Sequence, residues 1–305
     1  MPLTNYPNGV SSFGMPVMGV GEETMTTGNV FFVDSGAAAA ADGNAMTDPA
    51  QPGATIDAAI ARCTANNGDI IFVMPGHAET VAATDIALDV AGVWVRGIGW
   101  GADRPTITYS ATGSTIAMSA ASTRISNLRL APGIANVVAA VTVSASDCIV
   151  EICETLTAAV FEFTSLIHVQ ADANRVIIRN NVLRNLFTAA SGTSGILLDG
   201  CDELQITGNL ITGFFAEHVI DNTTGSLDQT LNALIADNYL QQVGSGTDLV
   251  VEMDTDATGL LVKNMMSGTQ ALDGNLTGGN MRSVRNFMTD ADDARAVGIP
   301  VTSAA

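Results

Sequence analysis

The sequence is short of positive charge and of aromatic side chains. Its 305 residues include 12 lysines and arginines against 31 aspartates and glutamates, a formal net charge of −19, and aromatic residues make up only 5%. Nucleic-acid binding needs clustered cations that displace counterions from phosphates, and no run of three basic residues occurs. We therefore expect no nucleic-acid partner. The hydrophobic fraction of 47% is large enough to bury a core, which excludes a disordered polyanion.

Long apolar runs and paired cysteines are also missing. No stretch of 18 apolar residues exists, and the first residues lack the basic region and apolar segment of a signal peptide. We expect a protein without a membrane partner, made in a reducing cytoplasm. The scattered cysteines predict neither zinc nor a disulfide framework, and no metal or other cofactor is expected. They are predicted to be buried free thiols: Cys63, Cys148, Cys153 and Cys201.

Residues 1–28 cannot bury a face by themselves. They contain three prolines and sustain neither a period of 2 nor one of 3.6. Their apolar residues are too many for a solvated tail, so we expect an extended N-terminal arm that packs on a capsid or a sister subunit. The alternative is an arm that folds back on its own domain. The candidate binding residues of the arm are Tyr6, Val10, Phe13, Met15, Val17, Met18 and Val20.

Residues 29–76 predict a strand, a loop, a helix and a first coil. The strand is Val30 to Val33, and Thr55 can cap a helix from Ile56 to Ala65, whose apolar residues share one face. A buried strand follows from Asp69 to Met74. One helix followed only by strands is unlike an alternating α/β protein.

Residues 77–288 repeat the form aliphatic-x-x-Asn-apolar-apolar. The asparagines recur at spacings of 28, 29, 26 and 22 residues, and they are Asn181, Asn209, Asn238, Asn264 and Asn286. Leu128 and Cys153 extend this column upstream, and Ser283 replaces the aliphatic residue of the last repeat. Periods of about 20 to 30 residues without a helix in each unit indicate a β-solenoid.

Stacked coils place like residues above one another, about 4.8 Å apart. We expect a structural asparagine ladder, in which the amides bond to one another and asparagine tolerates the left-handed conformation of a sharp turn. The column three residues before the ladder is predicted to line the core: Ile125, Val150, Ile178, Ile206, Ile235 and Leu261. The column directly after the ladder is predicted to line it too: Val182, Leu210, Tyr239, Met265 and Phe287.

Both ends of such a stack expose backbone groups that invite edge pairing unless they are covered. The helix is well placed to cover the N-terminal end. Residues 289–305 lose the period and form a C-terminal tail that either caps the other end or reaches across to a neighbour.

The opening of the solenoid resembles that of a known superfamily. Val30 to Asp34, Pro52 to Ile60 and Gly68 to His77 resemble the strand, capping helix and first coil that open the pectate-lyase-like, right-handed parallel β-helices. The resemblance covers residues 30–288. It implies an all-β fold, a right-handed parallel β-helix (β-solenoid) with an N-terminal capping helix and an extended N-terminal arm.

A narrower resemblance concerns Pro2 to Val10 and Cys63 to Val73, which look like structural proteins of tailed bacteriophages. It implies a virion component, assembled in the host bacterial cytoplasm as a homotrimer, with the phage major capsid protein as its partner. The short chain favours the outer capsid surface over the tail, because tail spikes usually add receptor-binding or trimerisation domains. We therefore expect a non-enzymatic capsid decoration, or cement, protein that grips the capsid with its arm.

No pattern in the sequence predicts catalysis. Lyases of this fold use acidic calcium clusters with a basic residue, and spike glycosidases use paired carboxylates beside aromatic platforms. His77, His168 and His218 occupy unrelated repeat positions, which excludes a triad by spacing. Five acidic residues are predicted to be exposed carboxylates that supply solubility: Glu151, Glu154, Asp199, Asp202 and Glu203.

Two alternative functions stay open at this point. The first is a tail-spike or fibre module that binds or cleaves a bacterial surface polysaccharide. An acidic pair with an aromatic platform on one exposed face of the solenoid would favour it. The second is a host-derived polysaccharide lyase, which would release unsaturated oligosaccharides in a metal-dependent reaction.

Overall fold

A computed structural model describes residues 26–82, 86–157, 161–186, 192, 194–222, 229–243, 250–268 and 280–290, together with short strands at 11–12, 15–16, 276–277 and 299–300. In the arm, β1 (Ser11–Ser12) pairs antiparallel with β2 (Met15–Pro16). Of the candidate arm residues only Met15 lies in a described strand. The other six lie outside the described residues: Tyr6, Val10, Phe13, Val17, Met18 and Val20.

The described chain forms an all-β parallel solenoid of three sheets, and each full coil adds one strand to each sheet in turn. Sheet one contains β3 (Val30–Val33), β4 (Ile70–Val73), β7 (Trp94–Gly97), β10 (Arg124–Ser126), β13 (Ile149–Glu151), β16 (Ile177–Arg179), β19 (Gln205–Thr207), β22 (Ala233–Ala236), β25 (Gly259–Val262) and β28 (Arg282–Val284). Sheet two contains β5 (Ala78–Val81), β8 (Thr106–Tyr109), β11 (Arg129–Pro132), β14 (Glu154–Thr155), β17 (Val182–Asn185), β20 (Leu210–Gly213), β23 (Tyr239–Gln242), β26 (Met265–Gly268), β29 (Phe287–Asp290) and β30 (Ile299–Pro300). Sheet three contains β6 (Ile86–Leu88), β9 (Ile116–Met118), β12 (Val137–Val143), β15 (Phe163–Val169), β18 (Ser194–Leu198), β21 (His218–Asn222), β24 (Val251–Met253) and β27 (Leu276–Thr277).

The core runs along the solenoid axis and is built from columns of aliphatic side chains. The column three residues before the ladder is at most 1% exposed throughout, which confirms its predicted place in the core: Ile125, Val150, Ile178, Ile206, Ile235 and Leu261. Burial of one such side chain stabilises the fold by about 1.5–3 kcal/mol. Because each coil contributes equivalent side chains, the core is continuous from coil to coil.

The column directly after the ladder does not line the core, so that prediction is wrong. Its residues lie on the outer face of sheet two, where Tyr239, Met265 and Phe287 are exposed and Val182 and Leu210 are half-buried. The asparagine already takes the inward position at the turn, so strand alternation sends the next side chain outward. The inward column of sheet two comes one residue later: Leu183, Ile211, Leu240, Met266 and Met288.

Helix α1 (Ile56–Ile60) is shorter than the predicted helix. Thr55 caps it as predicted, since its hydroxyl accepts the Ala58 backbone N–H at 3.4 Å. After Ala61 the backbone bonds tighten, since Arg62 N–H bonds to Ala59 and Cys63 N–H to Ile60, and at Thr64 they stop because the Asp69 carboxylate accepts its N–H at 2.6 Å. The helix packs on β3, β4 and β6, the first strands of sheets one and three, and so covers the N-terminal end of the solenoid. A 3₁₀ turn occupies Gly101–Asp103.

At the other end, β30 turns back and pairs antiparallel with β29, with Ile299 opposite Met288. This described part of the C-terminal tail therefore covers the last parallel strand of sheet two. Among the residues that the structure describes, no helix is long and apolar enough to cross a membrane.

The four cysteines are free thiols, as predicted. Cys148, Cys153 and Cys201 are buried, whereas Cys63 is half-buried beside α1. Burial raises the pKa of Cys63, Cys153 and Cys201 to about 12. The thiols therefore stay protonated at neutral pH and act as small core residues.

Candidate functional site

The corner between sheets one and two is a two-residue turn in each coil around the ladder. Asn180 and Asn181, for example, are the only residues between β16 and β17. The left-handed residue of the turn precedes the ladder asparagine, so the expectation that the ladder residue adopts this conformation is wrong. The left-handed residues have φ values from 53° to 66°, and they are Asn127, Ile152, Asn180, Gly208, Asp237, Lys263 and Arg285.

The ladder itself is confirmed, and it is held by hydrogen bonds rather than by turn propensity. The Oδ1 atom of Asn209 accepts two bonds from Asn181, one from the backbone N–H and one from the side-chain amide, both at 3.0 Å. The same pair of bonds links each next asparagine down to Asn286. Each amide also donates to a core-column carbonyl, as Asn238 does to Ile206 at 2.8 Å. The ladder asparagines are buried, so these bonds fix a sharp and rigid corner.

Asn286, the last asparagine of the ladder, explains why Ser283 replaces the aliphatic residue in the last repeat. No ladder asparagine follows Asn286, so its amide donates to the Ser283 hydroxyl at 2.8 Å in place of a next rung, and it keeps the usual bond to the core-column carbonyl, here Leu261 at 2.7 Å. A polar residue at 283 therefore satisfies a buried donor that an aliphatic residue would leave unpaired. At the other end, the Cys153 backbone N–H donates to Asn181 at 2.9 Å.

The N-terminal half of both faces beside this corner carries compensated charges. On sheet one, Glu151 accepts bonds from Arg124 at 2.6 Å and from Arg179 at 2.8 Å. The Arg124 guanidinium also lies 4.1 Å from the centre of the Trp94 ring. Glu151 is buried, so its prediction as an exposed solubilising carboxylate is wrong. A carboxylate held between two guanidiniums needs no water to balance its charge.

Sheet two shows the same compensation beside the corner. Glu154 accepts a bond from Arg104 at 3.1 Å and one from Arg129 at 3.4 Å. Glu154 is half-buried rather than exposed. In the N-terminal half of the solenoid, the carboxylates Glu151 and Glu154 on these two faces are therefore neutralised by arginines of the same chain.

The C-terminal half of the same two faces exposes five large apolar side chains, which we call the corner patch, and it also exposes Arg282 on sheet one. On sheet one these are Leu260 and Val284, and on sheet two Tyr239, Met265 and Phe287, with exposures from 40% to 56%. Strand pairing places Tyr239, Met265 and Phe287 in register on successive coils of sheet two, whereas on sheet one Leu260 lies beside Arg282 and Val284 beside Val262. Such a contiguous exposed apolar surface is typical of an interaction site.

Exposed cations line the edge of the corner patch. Lys263 and Arg285 occupy successive turns between the two apolar faces, and both are exposed. Neither forms an ion pair with any residue in the described ranges. Asp237 holds the equivalent position on the preceding coil. The corner patch is therefore apolar on both sides of a weakly basic edge.

Each histidine is paired with a carboxylate, which sequence spacing did not reveal. His168 Nε2 lies 2.7 Å from Asp199, and His218 contacts Glu252. These partners are 31 and 34 residues away in sequence, about one coil, but the coils differ in length, so a fixed period does not identify them. His77 is a buried structural residue, because its Nδ1 accepts the Ser35 backbone N–H at 3.0 Å.

Sheet three also brings two carboxylates together. Asp221 is buried and accepts a bond from the Ser194 hydroxyl at 2.8 Å, and Glu217 is hydrogen-bonded to Asp221. Partial burial raises the pKa of Glu217, and the hydrogen bond to Asp221 and the negative charge of Asp221 raise it further. The described residues contain no group of three or more side chains suited to a metal ion.

This pair predicts a pH-dependent effect of Glu217→Gln. With its pKa raised above the ordinary value near 4.5, folded Glu217 holds its proton where the unfolded chain has lost it. The contribution of Glu217 to stability therefore falls as pH rises from about 4.5. We expect Glu217→Gln to raise the Tm more at pH 7 than at pH 4, measured by thermal unfolding. An equal change in Tm at both values would contradict this.

The parallel solenoid is consistent with the pectate-lyase-like β-helix superfamily. Comparisons with protein-family models, with curated proteins and with solved structures find no match to this chain. A proposal about function therefore has to be argued from the fold, the corner patch and the Glu217–Asp221 pair.

Proposed function

We propose that the protein is a non-enzymatic structural component of a phage virion. In this proposal it is a homotrimeric decoration protein that sits on the outer capsid surface, binds the major capsid protein and stabilises the capsid. The corner patch is the observation that carries the proposal, because an exposed apolar surface of this extent indicates association with other protein surfaces. A rigid solenoid with a hydrogen-bonded ladder suits a structural component of a virus particle.

The attachment is proposed to reside in the N-terminal arm. Residues 1–28 combine seven apolar candidate residues with no lysine or arginine. Three arms in one trimer turn modest single contacts into tight binding, because the second and third contacts form within one particle. The net charge of −19 also favours the outer surface, since packaged DNA would repel it on the inner one.

Removing residues 1–20 tests the attachment directly. The solenoid begins at Val30, so we expect the truncated protein to keep its far-UV circular dichroism and Tm. We expect it to lose binding to particles stripped of the protein, measured by co-sedimentation. A point variant with Phe13→Glu and Val17→Glu should behave alike, whereas Val138→Glu, at an exposed position on sheet three, should bind as the wild type does. Full occupancy by the truncated protein would overturn the proposal.

A glycan-binding or glycan-cleaving module is the second candidate, because two acidic side chains, Glu217 and Asp221, come together, but their spacing is not that of a glycosidase. Glycosidase carboxyls stand about 5 to 9.5 Å apart so that sugar and water fit between them. Glu217 and Asp221 are hydrogen-bonded and so are closer than that. The exposed aromatic residues that the structure describes lie elsewhere, at Trp100, Tyr239 and Phe287.

Surface polysaccharide from the host strain decides between the two candidates. The glycan-cleaving function predicts a fall in polysaccharide viscosity with the wild-type protein and none with Glu217→Gln. The structural function predicts an unchanged viscosity with both proteins. Glycan binding without cleavage would appear as wild-type binding to immobilised polysaccharide that Glu217→Gln weakens.

A further inference from the structure

We propose that the corner patch is the subunit interface of a closed ring of copies. In this ring the sheet-two face of each copy packs on the sheet-one face of the next, and the ladder corners meet around the central axis. The inference deepens the proposed function, and it rests on that function only for the number of copies, three.

The shape of the corner favours a ring over other partners. Only two residues separate the strands of sheets one and two at this corner, so the apolar patch wraps around a convex edge. A single flat partner covers one side of such an edge and leaves the other in water. Covering both sides requires two neighbours, and a cyclic assembly gives every copy one neighbour on each side. A contact of this head-to-tail type closes when its rotation completes a circle.

The exposed apolar area supplies a substantial part of such an interface. Half-exposed apolar side chains each leave on the order of 100 Å² in water, so the corner patch leaves about 500 Å². Each contact of the ring joins the sheet-two part of one patch to the sheet-one part of the next, so one contact buries about 500 Å² of patch from both partners together. A protein interface of standard size buries about 1,600 Å² in total, of which somewhat more than half is apolar. The corner patch therefore supplies roughly half of the apolar area of one contact.

Charge favours the same corner. A chain of net charge −19 repels its own copies, and association is least opposed where cations are exposed. The ladder corner exposes Lys263 and Arg285 there against Asp237. The described turns between sheets three and one expose one cation, Arg175, which is paired with Asp147, and four further carboxylates: Asp89, Asp172, Glu203 and Asp256. Of these two corners, the ladder corner is the one that a second acidic copy approaches with less repulsion.

The coil register gives the ring a specific pairing. Leu260 on β25 and Met265 on β26 belong to the same coil, one on each side of the Lys263 turn. Copies that stand side by side at one height then bring Met265 of one copy against the Leu260 side of the next. A symmetric contact of sheet two on sheet two would not bring these two residues together.

Charge substitutions at these two positions test the pairing. Met265→Glu and Leu260→Lys should each raise the concentration of half-dissociation of the full-length protein at least 100-fold. The double variant should recover most of the association, because the introduced carboxylate of one copy meets the introduced ammonium group of the next. Val138→Glu, a matched exposed position on sheet three, should assemble as the wild type does. Multi-angle light scattering and native mass spectrometry measure the mass, and circular dichroism checks that each variant is folded.

Each outcome has a distinct meaning. A trimer that the single variants dissociate and the double variant restores supports the ring. A wild-type monomer, a dimer, or a trimer indifferent to both single variants overturns it. Failure of the proposed function is seen separately, because a trimer that binds no particle leaves the ring intact. A monomer that binds particles through its arm would leave the function intact and remove the ring.

Discussion

Replacing Asn238 with leucine is expected to lower the free energy of unfolding by about 2–6 kcal/mol. Asn238 lies inside the ladder, where its Oδ1 accepts two bonds from Asn209 and its amide donates to Ile206 and Asn264. Leucine has a similar volume but bonds to none of them. The Asn209 backbone N–H and one Asn209 amide hydrogen would then be buried without partners, each at a cost of about 1–3 kcal/mol.

Equilibrium unfolding in urea, followed by circular dichroism, measures this change. Asn280→Leu is the control, because Asn280 is exposed and its amide makes one bond, to the Thr255 carbonyl at 3.2 Å. We expect that substitution to change the free energy of unfolding by less than about 1 kcal/mol. Equal midpoints for Asn238→Leu and the wild type would show that the ladder adds nothing to stability.

Replacing Gly259 with alanine is expected to lower the free energy of unfolding by about 4 kcal/mol or more. Gly259 opens β25 with φ +142°, a conformation that side chains with a Cβ rarely adopt. It sits directly over Ala233 of the coil before it, and an added Cβ would lie 2.6 Å from the Ala233 nitrogen and even closer to its carbonyl oxygen. Both obstacles are backbone atoms, so the coils themselves would have to move apart.

The loss should appear as a lower Tm and a lower urea midpoint. Gly113→Ala is the matched control, because an added Cβ there meets no atom within 4 Å. We expect Gly113→Ala to leave stability within about 0.5 kcal/mol of the wild type. A Gly259→Ala protein as stable as Gly113→Ala would mean that β25 and β22 are not packed at this distance.

The position of the cap and of the ladder followed from local patterns. Thr55 before an apolar face predicted the start of α1, and a local hydrogen bond fixes that start. The end of α1 was predicted too late, because Asp69, five residues beyond Thr64 and just before β4, takes the Thr64 backbone N–H. The start signal lies in the capping residue itself, whereas this stop needs the turn at residues 65–67 to bring Asp69 back to Thr64.

The prediction that Tyr239, Met265 and Phe287 line the core was wrong. Their apolar character favours the core, and the sequence contains no sign that the asparagine before each already points inward. Only the two-residue turn, with its left-handed residue before the asparagine, sets the alternation of the strand that follows. The geometry of this turn is therefore what exposes Tyr239, Met265 and Phe287 as part of the candidate interface.

The contacts of the histidines and of Glu217 with carboxylates could not be predicted from the sequence for a related reason. His168 and Asp199, like His218 and Glu252, meet across neighbouring coils whose lengths differ. Glu217 and Asp221 are four residues apart, and the bend at Glu217 just before β21 allows their carboxyls to hydrogen-bond. Coil length varies in the turns, so cross-coil partners cannot be counted from a fixed period.

By itself, the sequence determined that the chain stacks into a parallel solenoid with an asparagine ladder, because a ladder needs one equivalent residue in every coil and that requirement leaves a period. Tertiary structure alone decided which apolar residues face water and which acidic residues are paired. Those outcomes depend on the turn geometry and on the register between coils, and both are set by contacts between residues distant in sequence.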